Sequence, residues 1–141
     1  MYLITFGSMC SKLIVENTLG TIQSMHGIYS YLLNSTHTNI TDFLEQIDIK
    51  EKISILEVLL EEFKNKDNKK SVKIAVGSIG HCIEDINKNM TELKERIEYH
   101  NTMYFNYWRT MYCDDLIEKI KKNNLLLDQR IDLLTKIYNI K

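Results

Sequence analysis

Proline is absent from all 141 residues, and glycine occurs only five times. Proline breaks helices by removing a donor and clashing with the preceding turn, so its absence favours long uninterrupted helices. The three cysteines, Cys10, Cys82 and Cys113, cannot all pair and show no CxxC spacing. A disulfide framework and a four-thiolate zinc site are thereby excluded. Gly77-Ser78-Ile79-Gly80 lacks the Lys-Ser/Thr ending of a phosphate-cradling loop. Neither charge sign is in excess: 18 Lys and Arg stand against 19 Asp and Glu. That balance argues against a surface devoted to nucleic acid or to an anionic membrane. Met1 to Ser8 has neither the basic start nor the apolar run of a secretory signal, and Lys12 and Glu16 interrupt the first apolar stretch. The expected setting is intracellular rather than secreted. With 44% apolar and 26% charged residues, the composition is that of a globular chain and not of a disordered one.

Charge is unevenly placed. Residues 1–41 carry only Lys12 and Glu16, which predicts an element buried on more than one side. Val15, Leu19, Ile22, His26, Tyr29 and Leu33 recur at the helical period, while Gly20, Ser24 and Gly27 offer a small-residue side to a neighbouring backbone. Residues 34–41 read as a loop, with Thr41 as N-cap of the next helix. Ile49, Ile53, Leu56, Leu60 and Phe63 form a second stripe, ending in the lysine-rich run 64–70. A third runs from Val72 through Val76, Ile79, Ile83, Ile86, Met90, Leu93, Ile97, His100, Tyr104 and Tyr107 to Met111 without a missed step. Residues 71–79 also alternate with period two, but the heptad extends back through them in phase, so helix is preferred over strand. Asp115 and Glu118 have capping-box spacing, and a last helix follows with the seam Ile117, Ile120, Asn124, Leu127, Ile131, Leu134 and Tyr138. The expected fold is all-α: one domain over 1–141, with helices at 8–34, 42–65, 71–111 and 114–139. They would form a four-helix bundle, or a helical hairpin with one long coiled-coil-like helix that projects.

No catalytic constellation emerges. His81 and Cys82 are adjacent and point apart on a helix, and Glu92-x-x-Glu95 and Glu98-x-His100 miss the di-iron spacing. Neither metal nor cofactor is expected. Lys64, Lys66, Lys69, Lys70 and Lys73 lack the arginine and aromatics that read bases, and are read as solvated linker lysines. Asp114 and Asp115 beside Cys113 would raise its pKa rather than activate it.

Two features point to partners. Tyr99, Tyr104, Phe105, Tyr107, Trp108 and Tyr112 place six of the thirteen aromatics within fourteen residues. Phe105 and Trp108 lie about 100° from the seam, so a further helix or a partner must cover them. Phe105, Trp108, Arg109 and Tyr112 are therefore candidate partner-binding residues, of the types that dominate interface energetics. Asn124, one heptad from Ile117 and from Ile131, is a candidate register-setting residue: a buried Asn needs a matching partner, unless it faces outward.

Residues 99–109 (Tyr99-His100-Asn101-Thr102-Met103-Tyr104-Phe105-Asn106-Tyr107-Trp108-Arg109), the run Leu125-Leu126-Leu127-Asp128-Gln129-Arg130 and the following Leu133-Leu134 resemble the small uncharacterised helical proteins of giant DNA viruses. The 46 Ile, Lys and Asn residues are similar in bias. The resemblance covers about the last forty residues and brings no activity or site residue with it. It implies an all-helical fold and the cytoplasm of an infected host, or a virion, as setting. Twelve consecutive heptad positions exceed what a small monomer covers, so the function expected is a non-enzymatic structural or protein–protein interaction protein that self-associates into a homo-oligomer. Alternatives are peripheral membrane contact through residues 1–33 and a viral adaptor on a host protein. Specific nucleic-acid binding is not expected.

Overall fold

The computed structural model describes the backbone of residues 2–35, 38–102 and 113–139, and the side chains of 12–35, 39–102 and 113–139. The fold is all-α, with five helices and no strand among these residues. They are α1 (Tyr2–Leu33), α2 (Thr38–Ile47), α3 (Ile49–Lys64), α4 (Lys70–Thr102) and α5 (Asp114–Asn139). Residues 71–79 are helical, as the heptad phase requires.

Contacts fix the direction of each helix. Glu16 reaches Lys64 and His26 reaches Glu57, so α1 and α3 run antiparallel. Lys94 lies over the Tyr31 ring while Gly80 meets Ile14 and Thr18, so α1 and α4 run parallel. Arg96 holds Asp115 and Arg130 holds the Ser78 carbonyl, which makes α4 and α5 an antiparallel hairpin. This hairpin is the most extensive helix pairing, followed by α1 on α4. One continuous core results. All eight seam residues from Val72 to Ile97 are buried in it, as are Ile22, Met25 and Leu32 of α1.

Several expectations require correction. The helix expected over 42–65 is broken in two at Asp48, whose φ of 55° is left-handed. Asp tolerates that conformation better than most residues because its short side chain can bond locally. The segment read as loop contributes its last four residues, 38–41, to α2, and Ile40 is fully buried. Loop-like composition is overruled there by one anchoring aliphatic. The small-residue side of α1 is not covered: a Cβ at Gly20 or Gly27 would meet nothing within 4 Å. Gly20, Gln23, Ser24, Gly27 and Ser30 are exposed, so that face avoids charge by composition and not by burial. Within its described length α4 does not project, because Leu93 and Ile97 near its end are buried with Cys113 and Leu116.

Between α3 and α4 the chain turns as its Asn and Lys content implies. Asn68 donates to the Phe63 and Lys66 carbonyls at 3.0 and 3.2 Å, tying the turn back onto the end of α3. α5 begins at Asp114, with the Cys113 carbonyl accepting from Ile117 N–H at 3.0 Å.

Candidate interaction surface

The α4/α5 hairpin is held in register by three polar contacts. At one end the Arg96 guanidinium donates to both Asp115 oxygens, at 2.7 and 2.9 Å. Asp115 thus sits inside the first turn of α5 rather than at its N-cap, with its carboxylate bonded to α4 and to backbone N–H groups of that first turn. That bidentate bond holds its carboxyl down to about 2, from an ordinary 3.8. In the middle, the Cys82 thiol donates to the Asn123 carbonyl at 3.0 Å, and burial pushes this thiol up to about 11. Near the other end, Arg130 donates to the Ser78 carbonyl at 2.6 Å. Burial raises the Cys113 thiol too, with Asp114 and Asp115 adding to it after partial opposition from Arg96. Neither thiol is set up as a nucleophile.

The Arg130–Ser78 contact places the exposed aliphatic residues around it. Ile74 lies one turn before Ser78 on the same stripe, and Leu133 lies three residues after Arg130. Because the helices are antiparallel, Ile74 and Leu133 come level on the outer side of the hairpin. Leu126, one turn before Arg130, continues the line. Ile74 is 63% exposed, Leu133 52% and Leu126 37%. On α5, Leu126 and Leu133 are two turns apart, about 10 Å at 1.5 Å per residue. Three exposed aliphatics thus flank one arginine on an open face, and a clustered exposed apolar group is a candidate interaction patch. Ile74 fell outside every seam, and its level relative to Leu133 depends on helix offset, so sequence reasoning missed the group; Leu126 and Leu133 appeared there only as part of the viral resemblance.

Asn124 is 8% exposed and faces inward. Its Oδ1 accepts from Lys52 Nζ at 2.9 Å, and the same ammonium meets Asp128 one turn on at 2.9 and 3.0 Å. Within this chain the seam asparagine thus finds a partner in a lysine of α3. Asn124 thereby links α5 to α3. The candidate partner-binding residues Phe105, Trp108, Arg109 and Tyr112 lie outside the described residues.

Elsewhere the titratable groups disperse. His26 pairs with Glu57 at 3.3 Å, exposed His81 diverges from buried Cys82, and among the described residues no three of His, Cys, Asp and Glu converge as metal ligands. No helix among them is long and apolar enough to cross a membrane.

Comparison with known proteins bears out the viral resemblance. An uncharacterised protein of Acanthamoeba polyphaga mimivirus, a giant DNA virus, is 24% identical over 148 positions, covering 85% of this chain and 70% of the viral protein. The similarity therefore extends well beyond the last forty residues. No protein-family model matches the chain, and no solved structure does either.

Proposed function

We propose that this chain is a non-enzymatic interaction protein that self-associates through the outer side of its α4/α5 hairpin. The observation that carries this reading is the exposed aliphatic group Ile74, Leu126 and Leu133 around Arg130. It replaces the length of the α4 seam as the ground for self-association, since the seam from Val72 to Ile97 is buried within one chain. A formal charge of −1 leaves two copies with almost no long-range repulsion, so a second copy is a suitable occupant. The setting that accompanies this reading is the inside of a cell, including an infected one.

Membrane contact through residues 1–33 draws less support. From Val15 onward the apolar side of α1, including Leu19, Ile22 and Met25, is buried, and its outer face is polar or small, with Glu16, Asn17, Gln23, Ser24 and Ser30 beside Gly20 and Gly27. An interfacial helix needs the reverse.

Co-expression of two differently tagged copies tests the proposal. Purification through one tag is expected to retain the other copy, and Ile74→Glu with Leu133→Glu is expected to abolish retention while the helical circular dichroism persists. Equal retention by the folded double variant would overturn the assignment of this surface.

A further inference from the structure

The lysine-rich turn between α3 and α4 does not simply face solvent. Together with the start of the described part of α1 it walls an open cleft of about 490 Å³, within the ~300–1,000 Å³ of small-molecule sites. Its floor is apolar, formed by Val15, Phe63, Val72 and Val76 with Ile14 at the edge. Its rim carries Lys12, Lys64, Lys66 and Lys73 against a single lining acid, Asp67.

These lysines are not equivalent. Lys64 reaches Glu16 at 3.8 Å, and Lys66 is turned to the Tyr138 hydroxyl at 3.3 Å. Lys12 and Lys73 line the cleft without an acidic partner among the described residues. The first turns of α4 form one wall, and the first turn contains no acidic residue to offset the positive helix end. Nothing in the sequence joins Lys12 to Lys73; the parallel packing of α1 on α4 does.

We propose that this cleft binds a single-chain anionic amphiphile, with the acidic head held by Lys12 and Lys73 and the hydrocarbon laid along the exposed Ile14 over the apolar floor. Cationic rim and apolar floor each answer one half of such a molecule. A free inorganic anion would leave the floor without a partner, and a nucleic acid would find neither arginine nor an exposed aromatic platform, Phe63 being 4% exposed.

Titration with monomeric oleate, followed by calorimetry, tests this. Saturable binding is expected, weakened about tenfold or more (roughly 1.4 kcal/mol per tenfold) by combined Lys12→Glu and Lys73→Glu. Should that variant unfold, Lys12→Gln with Lys73→Gln is expected to weaken binding in the same direction. Oleyl alcohol and inorganic phosphate, each lacking one half of the ligand, are expected to bind much more weakly. Absence of saturable oleate binding would overturn the proposal, as would equal binding of the alcohol, of phosphate or by the folded lysine variants. Flotation with phosphatidylserine vesicles in the absence of oleate binding would overturn it in favour of a membrane surface.

Discussion

Gly80 is where α1 and α4 press together. A Cβ there would lie 2.7 Å from the Thr18 hydroxyl, which is tied to the Ile14 carbonyl at 2.8 Å on a stiff β-branched side chain. Gly80→Ala is expected to cost about 1–3 kcal/mol by overpacking. Gly77→Ala, with nothing within 4 Å, is expected to gain about 0.5–1 kcal/mol from helix propensity. Urea unfolding of the two variants reads the opposite signs, and Thr18→Ala is expected to restore stability to the Gly80→Ala chain alone. Asn124→Ala removes one of the two acceptors of a largely covered ammonium, at an expected cost of about 1–3 kcal/mol in the same assay. Asp115 supplies a pH signature. Its folded pKa is depressed, so its stabilising contribution is complete above its ordinary 3.8 and is lost as pH falls through about 2. Asp115→Asn is therefore expected to lower the urea midpoint at neutral pH and to leave little difference from the parent chain at pH 2. At this scale the sequence disclosed Asn124 as a seam residue but not Lys52, 72 positions away, as its partner. It also disclosed that Gly80 was small, but not what needed the space.

Among the elements, α4 and α5 were the most legible. An unbroken 4-3 repeat from Val72 to Ile97 became a fully buried stripe, because a helix that long can keep one side on two neighbours. The start of α5 was legible to within a residue from the spacing of Asp115 and Glu118, although the helix begins at Asp114 and Asp115 lies inside its first turn. The break at Asp48 was less so, since Asp is unremarkable in a polar stretch. Its trace is the two-residue step from Ile47 to Ile49, both buried, which no continuous helix face allows. The left-handed backbone makes a directional prediction. Asp48→Ala is expected to lose about 1–2 kcal/mol, whereas Asp48→Gly, free of the Cβ conflict, is expected to equal or exceed the parent. Thermal unfolding monitored at 222 nm distinguishes them. The outer side of the hairpin was illegible for a different reason: periodicity reports which residues share a helix face, not how far one helix slides along the next.

At the scale of the whole molecule, the described helices share one continuous core, and two surface features stand outside it. The exposed line Ile74, Leu126 and Leu133 lies on the same hairpin that Arg96 and Arg130 fasten, so the surface is presented on rigid elements. The lysine-rimmed cleft lies where α1, α3 and α4 meet. Distant similarity to a giant-virus protein extends over most of the chain. Self-association is the central claim, and sedimentation equilibrium across a dilution series measures it directly. The account predicts a mass that rises from one chain toward a multiple of it at micromolar concentration, and a constant single-chain mass for Ile74→Glu with Leu133→Glu. A single-chain mass for the parent protein throughout the series would contradict it.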